Sequence, residues 1–423
     1  MIARRALLGA AAALPFAARA ADPRDPALPR RSDVMFSARW ARPEALEAAR
    51  AFGATRLDWC YTADPRFVAA ARGAGLRTVG GTLNANMTDA PGRHSWREGR
   101  ILDRDGNRVA APWMRGWGVA WGCVNAPEYR AAWLAHARAA LEAGVDWLLV
   151  DDPAMNAAAV GWGGCWCAHC RDRAAAEGVD LARDMRAFQR ASVTRFYAEI
   201  RPELDRIAAR RVTVGCNNYR GDPGWPHDLF DLGIAELPPA NATPDHIAVV
   251  LRTAEARGFP QAVTLTSDDV ALNRRVAAWC YALGGWMLAP WDVYLRSTPT
   301  GSDRFFGRAE DFAPIYAMAR GLAEALDEAL TAGAVPEGAV EAGAPGLHAA
   351  LRAPRDRRFT VLHLVQWGEE VPVNLRLDAV RLRAGEGLVT LPGAAPVRMR
   401  RDGGALVAEL PAAVWYAVVL RPG

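Results

Sequence analysis

A chain of 423 residues, 51% of them apolar, can bury one large core and a smaller one, so it needs neither disulfides nor a metal merely to fold. All 51 basic residues are arginine, set against 47 acids for a net charge of +4. They are dispersed among the acids rather than drawn into a stripe, which argues against nucleic acid as a partner.

Residues 1–20 read as an export signal: Arg4-Arg5, an alanine- and leucine-rich apolar stretch, then the small-residue pattern Ala18-Arg19-Ala20. The paired arginines are twin-arginine-like, which implies export after folding. So short an apolar stretch is no membrane anchor, and the mature chain is expected to be periplasmic or secreted with no membrane span.

From about residue 33 to 325, short apolar runs alternate with helical patterns. The runs are 34–37, 55–59, 77–80, 147–150, 212–215, 231–236, 262–266 and 285–289. Helical spacing covers 43–50, 127–143 and 181–209, with Pro127 near a helix start where its missing N–H costs nothing. Eight alternations predict a (β/α)8 TIM barrel over 21–330, and no glycine-rich dinucleotide fingerprint follows the first strand. The long Gly-, Trp- and Asn-rich connection from Asn84 to Gly122 is expected to be functional. Residues 331–345, with their glycines and prolines, read as a linker. Short alternating strands over 346–423 then predict an antiparallel β-sandwich.

In a barrel, side chains at the carboxyl ends of strands meet at one mouth. Acids fall there repeatedly: Asp58, Asp151 and Asp152, Glu236, Asp268 and Asp269, and Asp292. Any one of them could instead cap a helix or pair with an arginine. Glycosidic cleavage needs two carboxyl groups across the bond, one giving a proton to the leaving oxygen and one acting as nucleophile or as base for water. One of Asp151 and Asp152 with Glu236 is the best pair by strand position, with Asp268 in reserve. The strand before the two aspartates is apolar at every position and cannot choose between them. A gap of roughly 5 Å would mean retention of configuration, and roughly 6.5–9.5 Å inversion.

Asp58, Asn86, Asn218, Asp268, Trp291 and Asp292 are expected to bind substrate, since polar groups beside aromatic faces suit sugars. The expected partner is therefore a carbohydrate, with a homo-oligomer left open. The histidines form no metal-ligand spacing with acids, and no nucleophile elbow or phosphate loop is present.

Four cysteines form the densest motif: Cys123, then Cys165-Trp166-Cys167-Ala168-His169-Cys170. Four thiolates fill the tetrahedral sphere of a zinc ion and leave no open position, so the expected zinc is structural. The close spacing disfavours disulfides, although export to an oxidising compartment keeps that alternative. Cys60, Cys216 and Cys280 read as buried thiols.

The run Cys123-Val124-Asn125-Ala126-Pro127-Glu128-Tyr129-Arg130, followed by a strand, acids and Cys165-x-Cys167-x-x-Cys170, resembles the zinc-cluster region of family 42 β-galactosidases over about residues 120 to 175. The resemblance implies a (β/α)8 barrel with accessory β structure. The catalytic acid of that family does not carry over, because its Asn-Glu at the fourth strand end is replaced by Asp151-Asp152-Pro153. The stretch from Gly144 to Pro153 looks closer to uncharacterised glycoside-hydrolase-like barrels. It is also similar to the fucosidase type, whose fourth-strand aspartate is the nucleophile, a pattern that would favour Asp151. The function expected is an exported glycoside hydrolase, with a non-catalytic carbohydrate-binding barrel as the alternative and a metal-dependent hydrolase as a third.

Overall fold

The computed structural model describes residues 25–39, 41–87, 98–114, 119–265, 267–290, 306–326 and 330–422. The export signal, Trp291 and Asp292 lie outside them. Eight parallel strands close a barrel: β1 (Met35–Ser37), β2 (Arg56–Asp58), β3 (Thr78–Leu83), β4 (Trp147–Val150), β5 (Thr213–Asn217), β6 (Leu232–Leu237), β7 (Gln261–Leu265) and β8 (Trp286–Ala289). Each strand neighbours its sequential partners, and β1 closes on β8 through Met35 and Leu288. No described helix is long and apolar enough to cross a membrane.

Nine helices lie among the described residues. They are α1 (Pro43–Ala51), α2 (Pro65–Gly73), α3 (Pro127–Glu142), α4 (Met155–Ala159), α5 (Ala168–Glu177), α6 (Leu181–Ala208), α7 (Pro244–Ala256), α8 (Val270–Ala282) and α9 (Ala309–Leu326). Proline opens α1, α2, α3 and α7, where its fixed φ suits the first turn. Side-chain caps from Asp64, Asp180, Thr243 and Asp269 satisfy first-turn N–H groups of α2, α6, α7 and α8. Asp269 is therefore a helix cap.

The barrel interior is packed around Trp147, which is fully buried. Its ring takes the space that side chains on neighbouring strands would fill. A Cβ on Gly80 would lie 2.6 Å from the Trp147 Nε1, and one on Gly215 would lie 2.7 Å from its Cζ3. Glycine on β3 and β5 is the condition for tryptophan on β4.

That indole donates to Asp58 Oδ1 at 3.0 Å, and Arg56 binds the same carboxylate at 2.9 Å, with both ionic side chains fully buried. Arg56 and Asp58 are two residues apart and share the inner face of β2. Asp58 therefore belongs to the barrel's interior ion pair, not to the substrate-facing rim where the sequence suggested it. The chain ahead of β1 closes the barrel's amino end: Arg56 donates to the Ala27 carbonyl at 2.8 Å and Arg77 to that of Pro26 at 2.6 Å.

The C-terminal strands are β9 (Thr331–Gly333), β10 (Val340–Ala342), β11 (Leu347–Ala353), β12 (Thr360–Gln366), β13 (Val373–Asp378), β14 (Glu386–Thr390), β15 (Val397–Arg398), β16 (Arg400–Asp402), β17 (Ala405–Leu410) and β18 (Trp415–Arg421). They form a six-stranded sheet, β9-β11-β12-β18-β14-β15, and a four-stranded sheet, β10-β13-β17-β16. Buried Leu362, Leu364, Leu375, Leu377 and Tyr416 share the core between them. Strands β9 and β10 correct the linker expectation in part: 331–333 and 340–342 already pair with strands β11 and β13 of the sandwich. Arg352 on β11 ties the sandwich to the barrel through Glu255 of α7 at 2.8 Å.

Candidate active site

Asp151 extends β4 by one rung, its N–H bonding the Leu83 carbonyl of β3 at 2.7 Å. Asp152 then turns into the left-handed region at φ 55°, and Met155 follows at φ 41°. Trp59 after β2 and Arg220 after β5 are also left-handed, at φ 51° and 62°. Four of the seven non-glycine residues with positive φ among the described residues thus follow barrel strands at their carboxyl ends, where backbone strain is concentrated. The loop after β4 is braced by Tyr197 of α6, whose hydroxyl donates to the Pro153 carbonyl at 2.9 Å.

The carboxylates are joined by one amide. Asn217, the last residue of β5, donates from Nδ2 to Asp151 Oδ1 and to Glu236 Oε2, each at 3.0 Å. Tyr61 donates to Asp151 Oδ2 at 2.8 Å, and the Asp152 N–H reaches Asp151 Oδ1 at 3.1 Å. Asp151 therefore accepts from three donors.

Burial pushes the Asp152 carboxyl well above the usual carboxylate range, and the charges of Asp151 and Glu236 push it the same way. The Tyr61 phenol is also pushed well above its ordinary value, first by burial and then by Asp151. The cluster therefore holds one carboxyl that resists ionisation beside one that is surrounded by donors.

The structure brings Asp151, Asp152 and Glu236 together. Asn218 does not join them: it is buried, and its amide makes reciprocal bonds with that of Gln261 at 2.8 and 3.0 Å. Asn86 is half-buried in a short ladder opposite Trp121, and Asp268 is exposed after β7. No catalytic role was expected of Tyr61 or Asn217, although both belong to the aromatic and amide groups at the barrel's carboxyl edge that suit a sugar. The apolar run 212–215 ends at Gly215, two residues short of Asn217, and Tyr61 follows the left-handed Trp59, which ends strand periodicity.

A second group lies behind the β4 loop. The sulfurs of Cys123, Cys165, Cys167 and Cys170 all lie within 4.8 Å of one another, fully or almost fully buried and in no disulfide. Cys123 Sγ is 3.5 Å from Cys170 Sγ, 3.5 Å from Cys167 Sγ and 3.7 Å from Cys165 Sγ. Zn–S bonds of about 2.3 Å at tetrahedral angles give S···S edges of about 3.8 Å, so the four sulfurs fit such an ion. Amide N–H groups of Asn125 and Gln189 approach Cys170 Sγ at 3.3 and 3.4 Å, and that of Asn156 approaches Cys123 Sγ at 3.2 Å. Donors aimed at sulfur favour thiolates. Asn156 also accepts from the Val124 N–H at 3.0 Å, linking the β4 loop to the cysteine that precedes α3.

No protein-family model matches the sequence, and no curated protein matches it. Solved structures match along almost the whole chain. An Anoxybacillus α-amylase aligns with a TM-score of 0.58 at 11% identity, covering 93% of this chain and 98% of the other. A cyclic α-maltosyl-(1→6)-maltose hydrolase from Arthrobacter globiformis gives 0.54 at 13%, covering 92% and 99%. α-L-Fucosidase isoenzyme 2 from Paenibacillus thiaminolyticus gives 0.50 at 12%, covering 93% and 100%. At these identities the likeness establishes the fold, a barrel with a C-terminal β domain of the kind glycoside hydrolases use.

Proposed function

We propose that the protein is a glycoside hydrolase that works with retention of configuration, with Asp151 as nucleophile and Glu236 as acid and base. The observation that carries the reading is the shared Asn217 amide. Two 3.0 Å bonds from one nitrogen keep Asp151 Oδ1 and Glu236 Oε2 within about 6 Å of each other, below the roughly 6.5–9.5 Å gap of an inverting pair. That is the separation for direct attack by one carboxylate. An inverting enzyme needs a wider gap for its water.

Three donors on Asp151 favour it over Asp152 as the nucleophile, since burial and the charges of Asp151 and Glu236 oppose ionisation of Asp152. In the first step Asp151 attacks the anomeric carbon while Glu236 protonates the departing oxygen. In the second, Glu236 deprotonates water, which displaces Asp151. The strained, braced loop after β4 fixes the nucleophile for both steps. A carbohydrate-binding barrel without turnover is the weaker reading, because nothing in simple binding requires two acids on one amide.

The four cysteines would hold a structural zinc ion, which would supply rigidity to the β4 loop through Asn156 and take no part in bond cleavage. Residues 1–20 would direct export. The test is a panel of 4-nitrophenyl glycosides of differing sugar and anomer. Release of nitrophenol by the wild type, with loss on the order of 10³-fold in Asp151→Asn and Glu236→Gln, is the expected result. Unchanged turnover in both variants would refute the assignment.

A further inference from the structure

Each carboxylate oxygen offers two lone-pair sites. On Asp151 Oδ1 both are taken, by Asn217 Nδ2 at 3.0 Å and by the Asp152 N–H at 3.1 Å. Oδ2 accepts one bond among the described residues, from the Tyr61 hydroxyl at 2.8 Å. We propose that Oδ2 is the oxygen that attacks the sugar, and that Tyr61 is a catalytic residue whose O–H governs the charge on that oxygen. The inference rests on the glycosidase reading and adds to it the reacting atom and a group for the second step.

The electron count follows. A lone pair on Oδ2 forms the bond to the anomeric carbon as the glycosidic C–O bond breaks, and the leaving oxygen takes the proton from Glu236. Oδ2 thereby loses its negative charge, and its hydrogen bond from Tyr61 weakens. In the second step the water oxygen bonds to the anomeric carbon, and Glu236 takes the water proton. The C–Oδ2 bond breaks, and its electron pair returns to Oδ2. Tyr61 meets that returning charge with a donor already in place, which is worth most in the transition state of the second step. The donor must keep its proton throughout. Burial and the Asp151 charge both oppose a phenolate.

A hydroxyl 2.8 Å from a carboxylate also has the geometry of a nucleophile with its base, so Tyr61 itself could attack. Two observations favour the first assignment. Asp151 is surrounded by donors that suit a carboxylate rather than a base about to be protonated, and the buried phenol resists ionisation.

The experiment has two arms. The wild-type protein is incubated with 2,4-dinitrophenyl 2-deoxy-2-fluoro-glycosides of gluco, galacto and fuco configuration, and the adduct is located by peptide mass spectrometry. A label on Asp151 is expected, and a label on Tyr61 overturns the proposal. In the second arm, Tyr61→Phe is assayed on the corresponding 2,4-dinitrophenyl glycoside. A stoichiometric burst, then turnover slowed on the order of 10- to 100-fold with KM lowered in proportion, is expected. Wild-type turnover without a burst overturns the role of Tyr61 while leaving the glycosidase reading intact. Neither labelling nor turnover with any probe overturns both. If Tyr61→Phe does not fold, the labelling arm on the wild type still decides between Asp151 and Tyr61.

Discussion

Asp151 and Glu236 stand at the ends of β4 and β6, and the two carboxylates are held as a pair by the side chain of the strand between them. Asn217 on β5 gives one N–H to each, at 3.0 Å. Both N–H groups come from one nitrogen, so neither acid can shift without disturbing the other's hydrogen bond. This coupling is what turns two acids on a barrel rim into a candidate catalytic pair.

Removing that bridge should separate function from fold. Asn217→Ala is expected to lower kcat on an active aryl glycoside by roughly 10- to 100-fold, the loss of hydrogen bonds to charged groups. Thermal melting should change far less than the rate, because Asn217 Oδ1 makes no hydrogen bond among the described residues. Steady-state kinetics beside calorimetry checks this, and a rate equal to wild type would contradict it.

The raised pKa of Asp152 has a sign that can be measured. The folded chain keeps this proton to higher pH than the unfolded chain does, so stability falls as pH rises from about 4 through the folded-state pKa. Asp58, raised chiefly by burial against the opposing pull of Arg56, adds to the same slope. Asp152→Asn is expected to flatten the dependence of urea midpoint on pH above about 4. An unaltered slope would show that Asp152 ionises normally in the fold.

The interior ion pair makes a prediction about stability alone. Asp58→Ala leaves the fully buried Arg56 with only the more distant Asp33 carboxylate, 3.9 Å away, and should cost about 3–5 kcal/mol. Replacing both members by apolar residues of similar volume should recover much of that loss. Denaturant unfolding of the single and double variants tests the pair. An Asp58→Ala protein as stable as the wild type would mean that the barrel interior is hydrated.

Asp58 also shows where the sequence misleads. Its place at a strand end is the same as that of Asp151, and only the inward partner separates them. Arg56 and Trp147 claim Asp58 inside the barrel, whereas Asp151 lies one residue past its strand, among mouth-facing groups. The eight strands were legible because each is a short apolar run between helices with proline or acidic starts. The bridging place of Asn217 was not, because polarity at Asn217-Asn218 resembles a loop although the ladder continues to Asn217, opposite Ile234. Strands β9 and β10 were hidden for a related reason: short edge strands rich in glycine and alanine carry little alternation.

The cysteine site predicts a metal-dependent fold with metal-free chemistry. Purified protein should carry about one zinc per chain, and Cys170→Ser should lose it and melt at a lower temperature. Turnover per folded molecule below the melting range should persist, since the four sulfurs contact one another and the amides of Asn125, Asn156 and Gln189. Elemental analysis beside calorimetry tests this. Metal-free wild type with an unchanged melting point after chelation would contradict it.

The central claim is that Asp151 and Glu236 act directly on the two faces of one glycosidic bond, and the stereochemistry of the first-formed sugar reads this most directly. Proton NMR of the anomeric signal, followed from the first minutes of hydrolysis of an active aryl glycoside, should show product with the anomeric configuration of the substrate. First-formed product of the opposite configuration would contradict the account, because it would require a water between carboxylates that the shared Asn217 amide holds too close to admit one.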